Sequence, residues 1–398
     1  MENFMKKMFS KRSDLVEEYF FSQKLKTISE LRAAGHEILS LGIGGPDLPP
    51  PTCFTETFCE LLRSSDASLH GYNSHRGEKI FREAFSQWLK SFFKIEVNPD
   101  QQILPLLGSK EGLSYLSQAL LNPSDYVLVP DTGYAPYAVS AKLCGAKIST
   151  YPLLTEQNLS KELKKIELKI KKNRFKIFWA NYPHMPTGTK ASLKVLNELK
   201  GFCESKKILL AHDNPYALLQ SSEAPLSVFH QDSIGSPYVC EFHSLSKSHH
   251  LAGWRVGALI GPSTLLEQVL KMKSQVDSGM NKALQLASAQ MLKKTPSSWF
   301  LERNQELKKR RDFLEQVFIK QGFTFSEGQV GLFLWGKAPK SLKSVELYCE
   351  KLLHEKNIFT VPGSVFGKAG KNFIRLSLCT PLTTLHKIEK RLHLTNEK

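Results

Sequence analysis

The chain has 398 residues, 41% hydrophobic and 23% charged, which excludes a disordered tail or a fibre and leaves material for two domains with sizeable cores. Its 54 Lys and Arg against 38 Asp and Glu give a net charge of +16, which attracts polyanions without selectivity, but no recognition motif or aromatic platform for nucleic acid accompanies it. The seven cysteines are odd in number and lack CxxC or other metal spacing, so they read as reduced packing residues in a cytoplasmic protein without a bound metal.

Residues 1 to about 30 read as an N-terminal arm or helix without chemistry of its own. The opening MENFMKKMFSKRSDL has no continuous apolar stretch of a leader, and nowhere do the roughly 18 uninterrupted apolar residues of a membrane span occur. Leu39 to Pro51 is a short apolar strand broken by glycines and prolines, which reads as a turn between strand and helix or as a place where glycine lets the backbone approach a ligand closely. His70-Gly71-Tyr72-Asn73 interrupts the next helical stretch, and a helix is expected from about Glu78 to Phe93.

Gln102-Ile103-Leu104 then leads into Gly108-Ser109-Lys110 and an amphipathic helix from Glu111 to Leu121. A strand, a Gly-Ser-Lys turn and a helix aim unpaired N–H groups at an anion, although the full nucleotide P-loop pattern is absent. Tyr126 to Val129 predicts a buried strand that ends at Asp131-Thr132-Gly133-Tyr134, and Tyr134 is placed to stack on a planar ligand or to pack.

The basic run Lys161 to Lys176 carries Leu163, Ile166 and Ile170 at helical spacing, which predicts a helix with a solvated lysine face. Three cassettes of one pattern are legible around and after it. Lys176 to Ala180 runs into Asn181-Tyr182-Pro183-His184-Met185-Pro186-Thr187-Gly188, Ile208 to Ala211 into His212-Asp213-Asn214-Pro215-Tyr216, and Tyr238 to Cys240 into Ser244-Leu245-Ser246-Lys247. Near-continuous apolar strands alternating with helices predict a parallel sheet covered on both faces, with ligands at the carboxyl ends of its strands. Asp213 and Lys247 then meet at one rim. From about residue 290 a long charged helix, the run Val330 to Trp335, a helix from Ser344 to Lys356 and strands at Ile358 to Val361 and Phe373 to Leu378 predict a smaller α+β domain.

The Lys247 turn carries the chemistry. A lysine buried beyond a strand end and near other cations keeps a neutral fraction of amine, which condenses with a carbonyl to an imine. Arg255, eight residues on, presents a fork for phosphate, and Ser244 and Ser246 add hydroxyl donors. A lysine for an aldehyde beside an arginine and serines for a phosphate points to pyridoxal phosphate.

These pieces, in this order from about Leu39 to Pro381, resemble the class I/II aminotransferases, pyridoxal-phosphate enzymes of fold type I. The resemblance implies an α/β fold with a large, mostly parallel-sheet domain (49–290) and a smaller α+β domain (291–398) that takes in part of the arm (1–48). It implies that Lys247 forms the imine and shuttles the proton, that Asp213 pairs with the ring nitrogen and that Tyr216 bonds the ring's phenolic oxygen. Ser109, Lys110, Ser244 and Arg255 match the phosphate cup, Tyr134 the aromatic on the ring, and Arg375, with Gly44 beside it, the clamp on the substrate α-carboxylate. Tyr72 matches a tyrosine that reaches the other subunit's phosphate, which implies a homodimer with shared active sites. The asparagine usual before Pro-Thr-Gly is replaced by Met185, whose thioether cannot donate, so His184 or Asn181 takes over or Tyr216 acts alone.

The implied activity moves an amino group from an L-amino acid to a 2-oxo acid, 2-oxoglutarate being the expected acceptor, by way of pyridoxamine phosphate. The donor is expected to be acidic, larger polar or aromatic, read at pocket edges near Ile43, Tyr72 and residues 276–282, with Lys282 a cation in range. The alternatives are another pyridoxal reaction on the same fold, a C–S β-lyase or decarboxylase, or a binding protein that keeps the fold without turnover.

Overall fold

The computed structural model describes residues 8–220, 224–230 and 233–393; residues 1–7 of the expected arm lie outside them. In chain order the strands of the first half are β1 (Leu39–Ser40), β2 (Ile103–Leu106), β3 (Tyr126–Pro130), β4 (Lys147–Tyr151), β5 (Phe175–Asn181) and β6 (Leu209–Asp213). The second half adds β7 (Val239–Ser244), β8 (Gly257–Ile260), β9 (Thr324–Phe325), β10 (Phe333–Lys337), β11 (Ile358–Phe359), β12 (Val361–Pro362) and β13 (Phe373–Ser377).

Seven strands form the main sheet in the order β2-β8-β7-β6-β5-β3-β4. All neighbours are parallel except β8, which runs antiparallel to β7 and β2. The reason is connection length: between Ser244 and its partner Gly257 the chain holds a single helical turn, Leu245–Ser248, too little for a crossover, so it returns as an antiparallel strand. Both faces are covered, as the apolar runs require. Leu128, Phe178, Leu210 and Val239 pack into the core on one side, and Val127, Trp179, Ala211 and Cys240 into the core on the other.

The helix Lys79–Phe93 seals the first face with Phe81, Phe85, Trp88 and Leu89, an apolar stripe at helical spacing. The lysine-rich helix Leu159–Ile170 buries Leu159 and Ile166 and leaves Lys161, Lys164, Lys165 and Lys169 to solvent. A second, antiparallel sheet, β12-β13-β10-β9, packs on the long helix Ser297–Ile319 and has its own core around Leu314, Phe318, Leu334 and Leu376. The expected strand Ile358 to Val361 divides: β11 pairs with β1, whereas β12 joins β13.

Strand β7 runs four residues beyond the apolar run that ends at Cys240. Glu241 and His243 are buried with His212, and the Glu241 carboxylate meets His212 Nδ1 at 2.7 Å, His243 Nε2 at 2.6 Å and the Ser227 hydroxyl at 2.9 Å. Burial would raise this carboxyl, but His243 and His212 beside it hold it well below the usual range. The acid is therefore kept inside by partners, and the strand continues to Ser244 at the rim.

Candidate active site

Three adjacent parallel strands end at one rim, β7 running two residues beyond the other two. Asn181 closes β5, Asp213 is its partner at the end of β6, and Ser244 closes β7. The Lys247 turn follows at once, with Ser244 Oγ accepting from the Ser246 N–H at 3.3 Å. These ends open on a cavity of about 560 Å³.

Lys247 reaches across the cavity and donates from Nζ to the Gly44 carbonyl at 2.6 Å. Burial depresses its pKa; the Cys379 thiol opposes the shift, and the Arg375 and Arg255 cations reinforce it. Gly44 has no room for a side chain, because a Cβ there would strike the Phe333 ring.

Asp213 Oδ2 accepts from the Tyr137 hydroxyl at 2.7 Å, whereas Oδ1 is buried without a partner among the described residues. Burial raises this carboxyl to about 6, against the hydrogen bond from Tyr137, which lowers it. Asn181 Nδ2 donates to the Asp213 carbonyl at 2.7 Å and Asn181 Oδ1 accepts from the Met185 N–H at 2.8 Å, which fixes both strand ends.

At the other end, the helix Ser109–Leu120 starts at Gly108 with no side-chain cap, so its first N–H groups face the cavity unclaimed by a side chain. Gly108 has φ 78°, a conformation that disfavours any larger residue, and it abuts the Arg255 guanidinium. Arg255 donates from Nη1 to the Ala252 carbonyl at 3.0 Å and to the Ser246 hydroxyl at 3.4 Å. Lys110 Nζ lies 5.0 Å from the Tyr19 ring centre, and burial and Arg255 lower its pKa.

Arg375 is buried opposite. Its Nη2 donates to the Gly42 carbonyl at 2.6 Å and its Nη1 to Met185 Sδ at 3.7 Å, while Nε has no partner among the described residues. Phe333, Phe366 and Phe21 surround the guanidinium at 4.0, 4.5 and 5.2 Å. Burial lowers its pKa to about 10, which leaves it cationic at neutral pH.

Fourteen of the residues singled out in the sequence thus line one cavity: Ile43, Gly44, Ser109, Lys110, Tyr134, Asn181, Met185, Asp213, Tyr216, Ser244, Ser246, Lys247, Arg255 and Arg375. His184 does not. It turns back to Thr187 Oγ1 at 2.9 Å and is pushed down to about 4 by burial, so it is a neutral packing residue of the turn and no substitute for the missing asparagine. Tyr72 is 94% exposed and also stands outside the cavity, as do residues 276–282; Lys282 bonds the Ser68 hydroxyl instead. The neighbouring histidines after Lys247 pack: His249 stacks against Trp299, and His250 meets the same ring edge-on.

Sequence reasoning missed several contributors, Tyr137, Tyr19 and Phe21 foremost among them. Tyr137 lies one helical turn beyond Tyr134, in a helix opened by Pro136, and that spacing placed both rings on one face. Tyr19 and Phe21 belong to the supposedly inert arm, where an aromatic triplet, Tyr19-Phe20-Phe21, was the unread signal.

The donor set suits pyridoxal phosphate. The orphaned Asp213 oxygen matches a protonated ring nitrogen, the uncapped helix start with Arg255 and the serines matches a phosphate, and the Lys247 amine matches an aldehyde.

The comparisons agree. The family model "Aminotransferase class I and II" matches residues 36–392. An LL-diaminopimelate aminotransferase of Dehalococcoides mccartyi (strain CBDB1) is 34% identical over 380 residues, 95% of this chain and 96% of the relative. A substrate-bound BacF structure from Bacillus subtilis superposes with a TM-score of 0.91 at 26% identity, covering 98% of both chains. An aromatic aminotransferase from Pyrococcus horikoshii OT3 reaches 0.82 at 26% identity, covering 92% of this chain and 98% of its own. The chain belongs to the class I and II aminotransferases, enzymes that depend on pyridoxal phosphate.

Proposed function

We propose that this aminotransferase takes the amino group of an L-amino acid and passes it to 2-oxoglutarate at the Lys247 cavity. The observation that carries the reading is the pair of buried, unpartnered atoms, Asp213 Oδ1 and Arg375 Nε, in one cavity with the Lys247 amine. Bound pyridoxal phosphate supplies an aldehyde for the amino group and a protonated ring that takes up the electron pair left at the α-carbon. Asp213 would keep the ring nitrogen protonated, Tyr134 would cover the ring, and Ser109, Lys110, Ser244 and Arg255 would hold the phosphate. With His184 turned away, the phenolic oxygen falls to Tyr216 and to the second N–H of Asn181.

Arg375 grips the α-carboxylate with its planar fork and so fixes the direction of the Cα–H bond. Lys247 Nζ takes that proton and returns it on the cofactor side. Met185, in the place of the family's asparagine, serves to seat Arg375. The test is product analysis: purified enzyme, an amino acid and 2-oxoglutarate should give glutamate and the matching 2-oxo acid in equal amounts. Release of ammonia, sulfide or carbon dioxide instead of glutamate would identify a lyase or decarboxylase and overturn the reading.

A homodimer with shared sites is part of the proposal. Tyr72 and Val276 are apolar side chains exposed by 94% and 68%, on segments tied by the hydrogen bond from Asn73 Nδ2 to the Met280 carbonyl, and both are available to a second copy. Subunits carrying Tyr72→Phe and subunits carrying Arg375→Leu, each weak alone, should regain activity when mixed. Heterodimers that gain nothing in any ratio refute shared sites. Seven free thiols favour the cytoplasm, which cell fractionation checks.

A further inference from the structure

The donor's side chain has one region of the cavity left to it, and we infer that this region selects apolar, above all aromatic, amino acids and disfavours those ending in an ammonium group. The inference rests on the transfer reaction proposed above. At the α-carbon the carboxylate goes to Arg375, the amino group to the cofactor and the proton to Lys247. The side chain then leaves along the wall that none of these occupies, formed by Tyr19, Phe21, Leu25, Ile43, Val365 and Phe366.

Five of these six side chains are hydrocarbon, and the Tyr19 hydroxyl is the one polar group. Phe21 and Phe366 both lie over the Arg375 guanidinium, and their ring centres are 6.5 Å apart at a 48° tilt, so they flank whatever extends from a carboxylate held there. The charge balance points the same way. Lys110, Lys247, Arg255 and Arg375 line the cavity, and Asp213, bonded to Tyr137, is the one carboxylate among the described lining residues. With Lys110 and Arg255 given to the phosphate and Arg375 to the α-carboxylate, a distal ammonium still finds no anion among the described wall residues and loses its hydration uncompensated. Glutamate and 2-oxoglutarate, anchored by the α-carboxylate at Arg375, can serve as the accompanying pair, since no anion among the described wall residues repels their distal carboxylate. LL-diaminopimelate, named for the relatives, ends in both an ammonium and a carboxylate, a doubly ionised group that this hydrocarbon wall does not match. Burying a phenyl group on such a wall is worth on the order of 10- to 100-fold in affinity.

The test uses the holoenzyme and two readouts. In single turnovers, kcat/KM for phenylalanine should exceed that for LL-diaminopimelate and for lysine by about tenfold or more, with glutamate as the reference donor. By calorimetry, the unreactive acid 3-phenylpropionate should bind at least about tenfold more tightly than 6-aminohexanoate, which pairs a carboxylate with a distal ammonium. Leu25 is 48% exposed, so Leu25→Asp should fold and should cut both ratios by about fivefold or more by adding the missing anion.

Preference for LL-diaminopimelate or lysine, equal binding of the two acids, or ratios unmoved in Leu25→Asp would each contradict the assignment while amino transfer stands. If no donor, glutamate included, reacts, the proposed function fails, and the two binding constants still decide whether the wall is apolar in its preference.

Discussion

Lys247→Ala is expected to lower turnover by on the order of 10⁴, with cofactor and substrate still bound. In the proposed reaction the amine takes the α-proton; it is tethered to the Gly44 carbonyl, and burial lowers its pKa. No neighbour can replace it. Tyr134 and Tyr216 have hydroxyls that burial makes poorer acids, Arg255 and Arg375 are cations, and Asp213 is bonded to Tyr137. Stopped-flow mixing with donor should show rapid binding followed by almost no conversion of the cofactor's absorbance, and circular dichroism should be unchanged. Turnover within a factor of about ten of wild type would mean that another group moves the proton.

The second large effect lies at Asp213. Asp213→Asn keeps the shape but removes the charge opposite the ring nitrogen, and should cost about 10²- to 10³-fold in kcat, as the loss of a preorganised charge does. The carboxylate is also a pH device. Its value near 6 in the unliganded site means that below that pH it is protonated and no longer attracts a cationic ring, so cofactor retention in dialysis should fall as pH drops through about 6. Tyr137 lowers that value through its hydrogen bond. Tyr137→Phe should therefore raise it and move the loss of cofactor to a higher pH. An unshifted profile would show that Tyr137 does not tune the acid.

Much of this site was legible before any coordinates, because strands buried on both faces write themselves as apolar runs and their polar ends mark the rim. The three cassettes ending at Asn181, Asp213 and Lys247 followed from that rule, and strand pairing then set Asn181 beside Asp213. Glu241 and His243 broke the pattern, since a buried acid between two histidines looks like a strand end in sequence. The arm was misread for a different reason. Tyr19 and Phe21 acquire their role from Arg375, more than 350 residues away, and no local periodicity encodes a contact at that separation. His184 shows the reverse case: the motif placed it at the site, but the turn from Pro183 to Thr187 directs its ring to Thr187.

The most direct measurement is borohydride reduction of the purified holoenzyme followed by peptide mass analysis. The account predicts that the visible absorbance disappears and that one cofactor stays covalently bound to the peptide containing Lys247. A label on Lys110 or another lysine, or cofactor released intact after reduction, would contradict the central role given to the Lys247 amine.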